Sequence, residues 1–342
     1  MIDLNIIWFI LVGVLIIGYA ILDGFDLGVG IIHLFTKKDE EKRINFNAIG
    51  PVWDGNEVWL LTGGGALFAA FPIVYATVFS GFYIAFMLLL MALILRAVSF
   101  EFRKYVESSR AKSWWDLAFG IGSLIPALLY GVAIGNVMRG LPVELINGKV
   151  SSSISFLGLL NPYSILIGVL SLVLFMMHGA VYLTLKSEGE QQEKMINLVN
   201  KTWIILVILY VLATLSTFFV APYLFNGILK NILFWILFIV MFASLVYIPL
   251  SVRSKKFGMT FLSSSVLTAM MILLFALSLF PLLVPSSIDI ANSLTIYNAS
   301  STPRTLQTML IIALIGMPLV IIYTIFIYRT FKGKVIINQD SY

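Results

Sequence analysis

The sequence predicts an all-α polytopic membrane protein with nine transmembrane helices, its N-terminus outside and its C-terminus cytoplasmic. Three observations carry that class. Hydrophobic residues make up 60% of the 342 positions and charged ones 11%, whereas a soluble domain carries roughly 25% charge. Mean hydropathy is +1.00, and the apolar runs reach the ~20 residues that cross a hydrocarbon core. Lysine and arginine gather in alternate loops, as membrane topology requires.

Taken in order, the expected spans are 5–34, 52–73, 76–100, 113–137, 161–186, 200–222, 229–250, 259–281 and 305–331, one transmembrane domain over 1–342. The first lacks a basic leader and a small-residue cleavage site, so it is read as retained; at 1.5 Å per residue it is about 45 Å long and must tilt or project. The second and third form a hairpin at Phe71-Pro72. The longest pieces between spans, 138–160 and 282–304, fall on the outer side. Loops 1, 3, 5 and 7 and the C-terminal tail hold seventeen Lys and Arg, against four (Arg139, Lys149, Lys230, Arg304) in the opposite loops. The net charge of +5 thus follows topology and does not form a nucleic-acid surface. Cysteine is absent, which excludes disulfides, iron–sulfur clusters and thiolate metal sites. No nucleophile set, metal set or phosphate loop is visible, and no internal repeat.

Ionisable residues inside apolar segments cost about 2.5–3.5 kcal/mol each on insertion scales and usually line a polar path. Asp23 and Asp26 lie in the first span, Asp54 and Glu57 at the start of the second, Arg96 late in the third, Asp116 at the start of the fourth and His178 late in the fifth. With the orientation above, all fall in the cytoplasmic half. On a helical wheel Asp23, Asp26, Gly30 and His33 share an arc of about 80°. Gly24, Gly28 and Gly30 suit close contact with a neighbouring helix. Gly63, Gly64 and Gly65 imply tight packing, a kink, or approach of a bulky partner. All but Asp23 and Asp26, which start no helix and share one face, also have a plainer reading. Asp54 and Glu57 favour a helix N-terminus through its dipole, Asp116 is an interfacial N-terminal residue, and the two histidines are hydrogen-bonded packing residues. Arg96 either snorkels to the interface or pairs with Asp54 or Glu57. Such a one-sided carboxylate cluster suits proton uptake from cytoplasmic water. With no redox centre of its own, the chain would pass protons to a consumer in a partner.

The segments Asp23-Gly24-Phe25-Asp26-Leu27-Gly28-Val29-Gly30, Pro51-Val52-Trp53-Asp54-Gly55-Asn56-Glu57-Val58-Trp59 and 63–72 (GGGALFAAFP) resemble subunit II of the cytochrome bd quinol oxidases. So do Phe79–Tyr83, Arg96–Arg103, Gly135–Gly140 and the outer stretches 280–287 and 292–295, and the resemblance spans essentially the whole chain. It implies a bacterial cell-membrane protein paired as a heterodimer with subunit I. That complex oxidises membrane quinol, reduces oxygen to water with cytoplasmic protons, and generates proton-motive force. Haem b and haem d, or a b-type variant, would be ligated by subunit I and none by this chain, which would hold no metal and no catalytic residue. Some members hold a structural quinone in subunit II, and some complexes carry small single-span accessory subunits; lipid surrounds both. Carried over by motif, Asp23 or Asp26, Asp54 and Glu57 serve a proton pathway, with Glu57 standing where the family often has Gln. Trp59 and Arg96 belong to the subunit interface or oxygen route, Arg96 on the haem side. Two other classes remain open on the residues alone: a secondary transporter, which usually shows a repeat and a midplane site, and a purely structural assembly subunit.

Overall fold

The computed structural model describes residues 3–146 and 149–337. Among them the helices are α1 (Leu4–His33), α2 (Asp39–Ile49), α3 (Trp53–Ala70), α4 (Pro72–Gly81), α5 (Tyr83–Phe102), α6 (Ser109–Arg139), α7 (Phe156–Leu159), α8 (Pro162–Lys186), α9 (Gly189–Val220), α10 (Ile232–Arg253), α11 (Phe257–Leu279) and α12 (Pro303–Thr330). Two antiparallel ribbons, β1 (Val143–Ile146) with β2 (Lys149–Ser152) and β3 (Leu282–Val284) with β4 (Leu294–Thr295), complete the described structure.

Among the described residues, eight helices are long and apolar enough to cross a membrane: α1, α5, α6, α8, α9, α10, α11 and α12. The expected second span, α3, is not among them. Its 18 residues include Asp54, Asn56, Glu57 and four glycines, which dilute its apolar content. The expected third span is broken. Residues 76–100 do not form one rod, because Phe82 leaves helical geometry (φ −100°, ψ 18°) between α4 and α5. Its ring is buried in the core at that end, and its amide and carbonyl still bond Val78 and Phe86 at 2.8 Å each, so one packed residue makes the irregularity. Residues 35–51, outside the expected spans, contain α2. Asp39, Glu40 and Glu41 occupy its first turn, where they favour the helix dipole, while Asn45, Phe46, Ala48 and Ile49 face inward.

The centre of the bundle is α8, the most buried of the eight spans, which packs on α1, α6, α9 and α11. Small residues set the spacing. A Cβ on Gly28 would collide with the carbonyl of Phe175, and one on Gly179 would meet the Gly28 backbone at 2.5 Å, so α1 and α8 touch backbone to backbone. Gly28→Leu is therefore expected to wedge them apart. Overpacking costs about 1–3 kcal/mol where side chains yield and more where backbone must move. Thermal unfolding in detergent checks this, and an unchanged midpoint would show that the helices have room.

The two long loops between spans fold together. Ser286 Oγ donates to Val143 O (2.6 Å), and the amides of Leu141 and Ser287 donate to Pro285 O and Leu141 O, both at 2.9 Å. Beneath this cap, Trp8, Phe71, Leu141, Val143, Val284 and Ile296 form a second core. The basic loops lie at the opposite end. Helix α12 stands apart: Leu306 is its buried residue, and its neighbours are α1 and α3.

Candidate functional site

The polar interior starts from α1. Asp23 and Asp26 are fully buried, and Arg96, which reaches them from α5, is 1% exposed. Arg96 donates from Nη1 and Nη2 to the two oxygens of Asp23 (3.1 and 2.7 Å). This two-pronged geometry suits the planar guanidinium. The helices that deliver it are drawn together by Gly122 of α6, where a Cβ would meet Ala92 O at 2.7 Å and Arg96 N at 2.8 Å. The Trp53 ring covers the guanidinium at 5.9 Å. Arg96 therefore neither snorkels nor pairs with Asp54 or Glu57. An arginine within an apolar bundle takes the carboxylate that shares its depth, and Asp23 is that group. Its burial also places it in the chain's interior, not on a face open to a partner.

Asp26 is held differently. Its Oδ2 accepts from Asn56 Nδ2 of α3 (2.7 Å), while its Oδ1 is buried with no hydrogen-bond partner among the described residues. The same Asn56 nitrogen donates to Leu22 O (3.1 Å), and Asn56 Oδ1 accepts from the Tyr328 hydroxyl of α12 (3.0 Å). Asn56 and Tyr328 were not singled out in the sequence. Asn56 lies within the Trp53–Trp59 motif, which was the available signal. Tyr328, distant in the chain and among many aromatics, offered none.

Helix α3 turns its acids two ways. Asp54 is exposed and Glu57 half-buried; among the described residues neither forms an ion pair. Glu57 nonetheless lies close enough to Arg96, Asp23 and Asp54 to interact electrostatically with all three. Trp59 is half-buried, its ring occupying the space above Gly18 of α1. Its outward neighbours Val58, Leu61 and Phe68 are exposed. The glycine run lies within the continuous helix α3 and does not pack tightly on other described elements. Gly63 meets Leu15 Cβ at 3.7 Å, and among the described residues no other element comes within 4 Å of a Cβ on Gly64 or Gly65.

The stripe on α1 divides in two. Gly30 admits Ser123, and His33, one turn on, donates to Asp116 Oδ1 (2.9 Å). Asp116 also accepts from Lys42 Nζ (2.7 Å) and from Arg103 Nε, and Arg103 Nη2 reaches Asp39 (2.7 Å). Asp116 is thus more than an interfacial helix-start residue. It is the hub of a cluster joining α1, α2, α6 and the end of α5. His178 packs flat on Phe261 (5.0 Å, 8°) and bonds Ser264 Oγ (2.7 Å) and Ile21 O (3.1 Å).

Among the described residues, no group of three or more His, Cys, Asp and Glu is placed to hold a metal. Both nitrogens of His178 and Nε2 of His33 are hydrogen-bonded, while Nδ1 of His33 is buried without a partner among the described residues. An apolar cavity of about 220 Å³ lies among α6, α8, α9, α10 and α11, lined by Tyr130, Leu170, Phe175, Thr217 and Phe275 among others.

A family model described as cytochrome bd terminal oxidase subunit II matches residues 4–331. The chain is 36% identical to cytochrome bd-I ubiquinol oxidase subunit 2 of Escherichia coli K12, over 97% of its own length and 95% of that protein's. It is 39% identical to cytochrome bd ubiquinol oxidase subunit 2 of Bacillus subtilis 168, over 98% of each. Its fold matches a chain in the solved structure of the bd oxidase from Geobacillus thermodenitrificans with a TM-score of 0.80 at 18% identity, covering 96% of this chain and 99% of that one.

Proposed function

Because the chain belongs to the cytochrome bd terminal oxidase subunit II family, we propose that it delivers cytoplasmic protons to oxygen reduction in a haem-bearing subunit I. It is a multi-pass protein of the bacterial cytoplasmic membrane. In this reading α3 is the ninth crossing of a single transmembrane domain. The N-terminus is outside, and the end carrying the basic loops is cytoplasmic. Quinol oxidation and haem b and d ligation belong to subunit I, and the heterodimer generates proton-motive force as a quinol:oxygen oxidoreductase.

The observation that carries the reading is the arrangement of four acids at one end of the bundle. Asp54 is exposed at the chain's surface, Glu57 lies half-buried beside it, and Asp23 and Asp26 are sealed within. A carboxylate series running from surface to interior is what a proton needs to leave water stepwise. Within it the roles separate. Asp23 has both oxygens on Arg96 and serves as counter-ion; Asp26 keeps Oδ1 unpartnered and serves as carrier.

The pairing surface is the α3 and α12 side. The free space over Gly64 and Gly65, the exposed Val58, Leu61 and Phe68 and the scant burial of α12 support docking of subunit I there, with Trp59 at its margin. A small-residue face lets another backbone approach closely. If the complex holds a structural quinone in this subunit, the 220 Å³ cavity supplies apolar walls and the hydroxyls of Tyr130 and Thr217. Single-span accessory subunits and lipid would take the remaining exposed spans.

The test is the intact complex. Purified under mild detergent, the chain is expected to bring subunit I with haem b and d bands and quinol-dependent oxygen uptake. Asp54→Asn in that complex should then slow turnover several-fold with haem content unchanged, since the first proton acceptor is lost. A colourless, partner-free protein would overturn the oxidase assignment, and unaltered turnover in Asp54→Asn would remove that residue from the pathway.

A further inference from the structure

The Asp26 carboxylate is set by a two-residue device on other helices. Asn56 is 2% exposed and uses its amide in both directions. Nδ2 donates to Asp26 Oδ2 at 2.7 Å and to Leu22 O at 3.1 Å, and Oδ1 accepts from the Tyr328 hydroxyl at 3.0 Å. These bonds fix the amide's sense. Leu22 O can only accept, so it requires the nitrogen on the α1 side, and the oxygen must then face Tyr328. A flipped amide would set oxygen against both a carbonyl and a carboxylate.

An amide in this state holds its protons and does not relay them. Its effect on Asp26 is positional. It occupies Oδ2 as an acceptor and leaves Oδ1, buried and unpartnered, as the oxygen where a proton adds. Tyr328 sits two residues from the end of α12, a helix whose helical neighbours are α1 and α3. Its hydroxyl thus ties the seating of α12 to the orientation of the acid. We propose that Asn56 and Tyr328 are positioning residues that present Asp26 Oδ1 as the proton acceptor of this subunit. The inference rests on the proton-delivery reading above and names the residues that make its carrier competent. The titratable and charged groups facing Asp26 are Asp23 on its own helix, Glu57 on α3, Arg96 on α5, Tyr182 on α8 and Tyr328 on α12.

The experiment uses the whole two-subunit complex carrying Asn56→Leu, Tyr328→Phe or Asp26→Asn. The readouts are quinol-driven oxygen uptake across pH and the protonated-carboxyl band in redox-difference infrared spectra, assigned to Asp26 by its loss in Asp26→Asn. Asn56→Leu is expected to lower kcat about tenfold, less than the ~10²–10⁴ that a proton-transfer group itself contributes because the carboxyl remains, with KM for quinol unchanged. It should also displace the pH profile and move the Asp26 band. Tyr328→Phe, which removes one hydroxyl and keeps the ring, should shift the same band and lower kcat several-fold. If Asn56→Leu does not assemble, Tyr328→Phe decides alone. A wild-type band and pH profile in Tyr328→Phe, or in an assembled Asn56→Leu, would overturn the positioning role, while a slow Asp26→Asn enzyme left the proton-delivery reading standing. Wild-type turnover in Asp26→Asn would overturn both.

Discussion

Replacing Asp26 with asparagine is expected to lower quinol-driven oxygen reduction by about 100-fold while the complex still assembles with its haems. The two side chains are nearly the same size, so the fully buried site keeps its packing. Asparagine can keep its oxygen on Asn56 Nδ2, which preserves the 2.7 Å contact. What disappears is a group that can bind and release a proton, and such groups contribute about 10²–10⁴ to the steps they serve. The measurement is turnover per haem in the purified complex, with the optical spectrum as the control for assembly. Asp23→Asn should behave differently, losing complex yield more than turnover per assembled complex, because Asp23 answers Arg96. Equal turnover defects in the two variants would mean that the roles are not divided as the hydrogen bonds divide them.

The second large effect is on stability. Arg96→Leu should destabilise the subunit by about 3–5 kcal/mol, because removal of one member of a buried ion pair leaves its partner's charge unanswered. The Asp23 carboxylate would remain fully buried with neither of its two guanidinium bonds. The double change Asp23→Leu with Arg96→Leu should recover much of the loss, since a well-packed apolar pair is often as stable as the buried ion pair it replaces. Thermal unfolding of the wild type, both single variants and the double variant gives the coupling directly. If the double variant is as unstable as the sum of the singles, the pair is not the source of the cost.

Much of the architecture was legible because its causes are local. An apolar run of sufficient length must be a helix in lipid, since every backbone group has to bond within its own segment; seven of the nine expected segments appear as such helices, and the third does so only from Tyr83 onward. The exceptions follow from composition and packing. The acids and glycines of α3 weaken its apolar signal, and the break at Phe82 depends on what surrounds a ring in the folded core. Helix α2 escaped notice because its buried face, Asn45, Phe46, Ala48 and Ile49, is short and half polar. The glycines of α1 were readable as a contact face, but Gly28 has Gly179 of α8 opposite it, and periodicity on one helix cannot identify the other.

The residues of the site were legible and their partners were not. Asp23, Asp26, Glu57 and Arg96 stand out by sequence because ionisable groups are costly in an apolar segment. That cost says each must be compensated without saying by whom. Arg96 lies 73 positions from Asp23, His33 lies 83 from Asp116, and Tyr328 lies 272 from Asn56. Sequence by itself determined the membrane class, the alternation of basic loops and most of the buried charges, though not Arg103, since each follows from what single segments can tolerate in hydrocarbon. The tertiary structure alone decided that Arg96 neutralises Asp23 and that Asn56 leaves one oxygen of Asp26 open. It also decided that Asp116 gathers three donors. Hydrogen bonds act over about 3 Å, and only helix packing brings residues so far apart in the chain within that reach.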